Sequence, residues 1–150
     1  MPNIALKTAT LSEGDVAITL LNYGAITRDW TIGKVSMVRR LARQEDYLSD
    51  QYYTGVIAGR VANRTANGRF ELGGQAYQLT QNDGNQHLHG GTRGLGQRFW
   101  QMEANGASAL RLSYHSPDGE QGYPGAVDFR MDVSLQGHRV CYDMQATPDR

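Results

Sequence analysis

The sequence predicts an all-β chain built from antiparallel hairpins, and three observations predict it. Glycine is in excess, with 18 residues against 4 prolines in 150. The apolar runs between the glycines are short. Several of those runs alternate with period two, which places apolar side chains on one face of a strand. Many tight turns joining short alternating runs indicate strands rather than helices.

In chain order, Asp15–Asn22 and Ala25–Ile32 read as two strands joined at Tyr23-Gly24. Val35–Tyr47 (VSMVRRLARQEDY) admits two readings. It is an amphipathic helix with Val35, Val38, Leu41 and Ala42 at helical spacing, or a strand followed by a turn. Arg69–Leu72 alternates, Gly73-Gly74 turns, and Ala76–Leu79 alternates back, so Phe70, Leu72, Tyr77 and Leu79 share a face. Trp100–Glu103 and Ala109–His115 flank Asn105-Gly106, a pair suited to the positive φ of a primed hairpin turn. Phe129–Leu135 is a nearly regular period-two strand; Gln136-Gly137 turns it and Val140–Met144 returns. No internal repeat, low-complexity segment or linker breaks the series, so residues 1–150 read as one continuous unit. Its long connections, Thr80–Gly96 and Ser116–Gly125, are where function is expected to concentrate.

Composition removes several classes of function. An apolar fraction of 39% supports one modest core. Fifteen basic and fifteen acidic residues cancel, so nothing steers the chain to nucleic acid or an anionic membrane. No run approaches the roughly 18 apolar residues of a membrane span. Met1-Pro2-Asn3-Ile4 lacks the basic and apolar regions of a secretory signal. The single cysteine, Cys141, excludes an internal disulfide, and a reduced cytoplasmic setting is expected. Four dispersed histidines with Cys141 inside a strand form no recognised metal set. Gly59–Gly68 has no helix after it, so a phosphate-loop reading fails on context. No cofactor is expected.

The stretch Gly55–Gly91 carries the most chemistry. It sets Asn63-Arg64 and His89 on either side of the Arg69–Leu79 hairpin, where an antiparallel sheet returns both to one edge. An amide, a planar five-donor guanidinium and an imidazole together grip a polyhydroxylated ligand and move a proton. Each also has a plain structural reading. Arg64 is a buried structural arginine tied to a carboxylate such as Asp83 or Asp118. His87 is a flanking structural histidine, and His115 and His138 are exposed and inert. Asp118-Gly119-Glu120 is a turn, Tyr123-Pro124-Gly125 shapes a rim, and Trp30 and Trp100 pack in the core. Arg39, Arg40 and Arg43 form a solvated face.

GRVANRTANGRFELGGQAYQL, followed by NDGNQHLHGG and then Phe99-Trp100, resembles the aldose 1-epimerase (galactose mutarotase) family. Ser116–Gly125 (SPDGEQGYPG) resembles that family's second signature loop, and Asp46-Tyr47-Leu48 its preceding tyrosine segment. The ordered set covers the chain from about Leu20 to Arg150 and is specific as a set. The resemblance implies a large antiparallel β-sandwich, of which about half is present as the N-terminal part of a single domain. It implies cofactor-free interconversion of α and β anomers of aldohexoses such as galactose and glucose. Residue by residue, it makes Asn63, Arg64 and His89 substrate-binding, with His89 also catalytic. The family's second histidine, an aspartate and the catalytic glutamate are expected downstream of Arg150, and Ser36–Arg43 departs from the usual apolar-glycine sequence. Two alternatives stand beside this reading: a carbohydrate-binding β-sandwich module or inactive remnant, and a hexose-6-phosphate mutarotase using Arg39, Arg40 or Arg43. A sheet cut midway is also expected to leave Phe129, Met131, Val133, Leu135, Val140, Tyr142 and Met144 as an uncovered face, with self-association through the exposed edge.

Overall fold

The structure is a computed structural model that describes residues 5–105 and 108–150. Strands β1 (Thr8–Glu13), β2 (Val16–Leu21), β3 (Thr27–Ile32) and β4 (Val35–Ser36) form one four-stranded antiparallel sheet in sequence order. Strands β9 (Gln101–Ala104), β10 (Ala109–Ser116), β11 (Val127–Gln136) and β12 (Arg139–Pro148) form a second, with β12 at one edge and β9 at the other. Between them lie two short ribbons. One pairs β5 (Arg64–Thr65) with β8 (His87–Leu88), and the other pairs β6 (Arg69–Leu72) with β7 (Gln75–Gln78).

The two large sheets face each other across one core. Leu11, Val16, Ile18 and Leu20 from the first meet Leu110, Leu112, Met131, Val133 and Leu135 from the second, with Leu95 and Trp100 closing the end. These are the alternate residues of β2, β10 and β11, so the period-two pattern is the packing pattern. Burial of each large aliphatic side chain contributes roughly 1.5–3 kcal/mol. Trp30 packs against this core and Trp100 lies within it, as expected. Arg111 on β10 makes a two-pronged ion pair with its cross-strand partner Asp132 (Nε–Oδ1 2.7 Å, Nη2–Oδ2 3.0 Å), which fixes register on the outer face.

Most hairpins lie where the sequence puts them. In the β6–β7 ribbon, Phe70 faces Tyr77 across the strands with rings stacked at 5.3 Å. Gly73 and Gly74 take φ of 59° and 78°, the pair of positive values that a two-residue primed turn requires. The turn at Asn105-Gly106 lies partly outside the described residues, though Asn105 donates its N–H to the Ala109 carbonyl at 2.9 Å. Two features differ from the sequence reading, and one open choice is decided. The β11–β12 turn is Gly137-His138, because Gln136 still pairs with Arg139. Strand β1 has no counterpart in the sequence reading. Of the two readings of Val35–Tyr47, the strand followed by a turn is the one observed: the two-residue β4, a turn, and a 3-10 turn at Gln44–Ser49.

The cause of that last outcome is local hydrogen bonding. Ser36 donates to Asp29 (2.6 Å) and to the Val38 carbonyl (2.9 Å), taking up groups a helix would use. Arg40 pairs with Asp29 at 2.7 Å and Arg43 with Asp46 at 2.8 Å, so two of the three arginines are already engaged by carboxylates.

The expected uncovered apolar face is also largely absent. Met131, Val133 and Leu135 are buried under the first sheet, and Phe129 and Val140 pack against the same core. Exposure is confined to Tyr142 (38%) and Met144 (62%). Tyr142 shares a hydrogen bond with the Thr27 hydroxyl at 2.7 Å, tying β12 back to the first sheet. Among the described residues β11 is the only strand that pairs with β12, so the outer backbone edge of β12 carries no strand partner.

Candidate sugar-binding site

Pairing of β5 with β8 sets Arg64 opposite Leu88 and Thr65 opposite His87. Asn63 and His89 therefore meet one residue beyond the ribbon. The Asn63 N–H donates to His89 Nδ1 at 3.0 Å, and the His89 N–H donates to the Asn63 carbonyl at 3.0 Å. Both residues take the left-handed conformation, with φ of 63° and 50°. Asparagine and histidine are both enriched there among non-glycine residues, and such conformations gather at functional sites. Because Nδ1 accepts a hydrogen bond, the neutral ring carries its proton on Nε2. Nε2 is thus the atom available to a ligand, as a donor. The Tyr53 ring meets the imidazole edge-on, 4.7 Å between centroids.

Gly90 follows directly and takes φ of 89°. A Cβ there would overlap the Gly59 carbonyl oxygen, so the chain can pass beneath His89 only as glycine. Arg64 lies alongside, its side chain 54% exposed, with Nε donating to Asp83 Oδ2 at 2.6 Å. The tie to Asp83 expected on the structural reading is present, but the arginine is a surface group, not a buried one. Its terminal nitrogens stay available to a ligand's hydroxyls. Asn63 and His89 are thereby brought into contact, with the exposed Arg64 next to Asn63 and opposite Leu88 across the ribbon.

The layer below is rigid. His87 is fully buried: Nδ1 donates to the Thr80 carbonyl and Nε2 accepts from the Tyr123 hydroxyl, both at 2.6 Å. It thus holds the opposite tautomer to His89 and offers no free nitrogen, in keeping with a structural role. Burial pushes the Tyr123 phenol up to about 12, so it stays a donor at every ordinary pH. His115 and His138 are exposed and face Asp128 and Asp15 on the surface.

Arg60 ties the loop Ser116–Gly125 to this region. It donates to Ser116 Oγ (2.9 Å) and to the carbonyls of Ser116 (3.0 Å), Pro117 (2.9 Å), Pro124 (3.3 Å) and Gly125 (2.8 Å). Its guanidinium also lies 5.5 Å from the Tyr123 ring centre. Within the loop, Glu120 accepts from Tyr114 (2.6 Å) and Arg98 (2.7 Å), and from the Ser116 hydroxyl. Burial and that carboxylate drive the Tyr114 phenol well above its usual range. Asp118 accepts from the Gly125 N–H (2.5 Å) and from Arg150 (2.9 Å). Glu120 and Asp118 are therefore engaged inside the loop, and Asp83 is engaged by Arg64. Sequence reasoning missed Arg60, Tyr53 and Asn82 as supports, since each looks like an ordinary turn or strand-end residue.

Among the described residues, no group of three or more His, Cys, Asp or Glu side chains is arranged to hold a metal ion. None of their helices is long and apolar enough to cross a membrane. A separate concavity of about 540 Å³ on the second sheet, lined by Phe99, Gln101, His115, Asp128 and Gln145 among others, contains none of Asn63, Arg64 and His89.

Comparison with known proteins bears on the family and the fold. The family described as aldose 1-epimerase matches residues 7–150. A galactose mutarotase from Mus musculus is 41% identical over 143 residues, covering 91% of this chain and 41% of the relative. An aldose 1-epimerase from Haemophilus influenzae is 33% identical over 129 residues, covering 84% of this chain and 38% of the relative. The crystal structure of a galactose 1-epimerase from Lactobacillus acidophilus superposes with a TM-score of 0.90 at 28% identity, over 100% of this chain and 46% of that one. An aldose epimerase homologue from C. elegans gives 0.90 at 26% identity, over 97% and 47%. The chain spans less than half the length of these relatives. With the sandwich, the ordered motifs and the match over nearly its full length, the chain belongs to the aldose 1-epimerase family.

Proposed function

We propose that this chain is the N-terminal, sugar-gripping part of an aldose 1-epimerase domain that exchanges the anomers of neutral aldohexoses such as galactose and glucose. The observation that carries the reading is the reciprocal Asn63–His89 clip, which leaves the imidazole Nε2–H outside the clip, with Arg64 next to Asn63 in the chain and opposite Leu88 across the ribbon. Anomer exchange opens a hemiacetal. A base removes the proton of the anomeric hydroxyl, the C1–ring oxygen bond breaks, and an acid protonates the ring oxygen. Rotation about C1–C2 and reversal of both transfers complete the turnover. The acid is a group other than the neutral His89 imidazole, whose Nε2–H is suited to hydrogen-bond the ring oxygen as charge develops on it, while Arg64 and Asn63 hold hydroxyls. Neither of those two is a plausible base.

The base is assigned to a carboxylate outside residues 1–150, because Asp83, Asp118 and Glu120 are each committed to partners. Neutral sugars are favoured over hexose 6-phosphates: Arg40 and Arg43 are paired with Asp29 and Asp46, and Arg64 with Asp83. A carbohydrate-binding module is the second reading, supported by the same engaged carboxylates. A cytoplasmic setting fits the lone Cys141. Self-association through the outer backbone edge of β12 remains part of the proposal, on a narrower basis than the sequence suggested.

The test is polarimetry on fresh α-D-galactose, with mass by light scattering measured beside it. A chimaera joining residues 1–150 to the remaining part of the Haemophilus influenzae relative is expected to accelerate mutarotation, and the 150-residue chain to leave the buffer rate unchanged. A folded, inactive chimaera would favour the binding module. Acceleration by the chain alone would place the base within these residues. A monomeric mass at every concentration would remove self-association.

A further inference from the structure

We propose that the adjacent pair Asn82-Asp83 is a single positioning element that sets both the imidazole and the guanidinium of the site, a proposal that rests on the sugar-site reading above. The two residues divide the work by side chain. The Asn82 amide clasps the backbone of Leu88 from both ends: Oδ1 accepts the Leu88 N–H at 2.8 Å, and Nδ2 donates to the Leu88 carbonyl at 3.0 Å. Leu88 is the last residue before the left-handed turn at His89. Holding its carbonyl fixes the peptide plane from which the His89 N–H reaches the Asn63 carbonyl. Asp83 then reaches the other way and takes Arg64 Nε at 2.6 Å.

The pair is itself anchored. The Asp83 and Gln86 backbones bond each other reciprocally (3.2 and 3.0 Å), and the Asn82 N–H donates to the Gln86 carbonyl at 3.1 Å. That closed loop gives the two side chains a fixed base, so the spacing of His89 and Arg64 is set by one dipeptide and not by two independent strands. Leu88 pairs with Arg64 across the β5–β8 ribbon, so both grips act on the same residue pair. Preorganisation of this kind is what permits weak donors to act at a reacting centre, where misplacement by about 1 Å can cost on the order of 10²-fold.

Each arm has its own isosteric test. N82D keeps the acceptor for the Leu88 N–H but turns the donor to the Leu88 carbonyl into a second acceptor. D83N keeps the shape and removes the charge that holds Arg64. N85A is the control: Asn85 bonds Asn67 and Gln86 in the same loop and touches neither Leu88 nor Arg64. The measurements on the 150-residue chain are ¹⁵N NMR of the His89 ring, the Arg64 Nε–H resonance, and the Kd for D-galactose. N82D is expected to mix the His89 tautomers, D83N to speed exchange of the Arg64 Nε–H, and each to raise Kd roughly tenfold, or about 1.4 kcal/mol. N85A is expected to move none of these. An unmixed His89 tautomer in N82D together with an unchanged Arg64 signal in D83N overturns the proposal. Failure of the wild-type chain to bind galactose would instead count against the sugar-site reading, and both spectroscopic arms would still decide the positioning role.

Discussion

His89→Ala in the chimaera is expected to lower the rate of anomer exchange by roughly 10²- to 10³-fold, the range that one positioned hydrogen-bond donor to a developing charge contributes. The loss should fall mainly on kcat, because Nε2–H acts on a ring oxygen whose charge develops in the transition state. Arg64→Ala should act differently. Its guanidinium grips hydroxyls present in ground and transition state alike, so KM rises while kcat falls less. Polarimetry across a range of galactose concentrations separates the two patterns. Unchanged rates in both variants would remove these residues from the site.

Gly90→Ala carries the second large effect. The added Cβ would coincide with the Gly59 carbonyl oxygen, and φ at this position is 89°. The neighbour is backbone and cannot rotate away, so the segment from Gly59 and the turn after His89 must separate. Losses above about 4 kcal/mol are exceptional and follow from such overlaps. That is a large share of the roughly 5–15 kcal/mol that holds a domain of this size together. Urea unfolding followed by tryptophan fluorescence is expected to show a midpoint lowered beyond easy measurement, or no folded baseline. A midpoint within error of the wild type would mean that the two segments are not packed as described.

The strands were legible because their chemistry is local. Gly73-Gly74 between two alternating runs fixes a hairpin without reference to anything else, and Phe70 faces Tyr77 as the alternation requires. The cores of β2, β10 and β11 follow the same rule. Val35–Tyr47 was not decidable in this way. Its helical spacing is real, and the outcome was set by Asp29, a residue on another strand that takes both Ser36 and Arg40. The expected bare face on β11 failed for the opposite reason. Period two reveals which residues share a face but not that the first sheet of the same chain covers them.

At the site, the ordered motifs brought Asn63, Arg64 and His89 forward, and Asn63 and His89 do meet. Their geometry was hidden, because it depends on backbone. The tautomer of His89 comes from the N–H of Asn63, a group every residue but proline carries. Asn82 acts through the main chain of Leu88, which no sequence pattern marks. Asp83 was foreseen as a partner for Arg64, but not that its neighbour holds His89.

The central claim is that Asn63, Arg64 and His89 form a sugar grip in this chain. The measurement that meets it most directly is a ¹H–¹⁵N titration of the 150-residue chain with D-galactose. Saturable shifts at the Asn63 amide, the Arg64 Nε–H and the His89 Nε2–H, with one shared dissociation constant, are the result predicted. Those three signals standing still while residues around the His115–Asp128 concavity respond would contradict it.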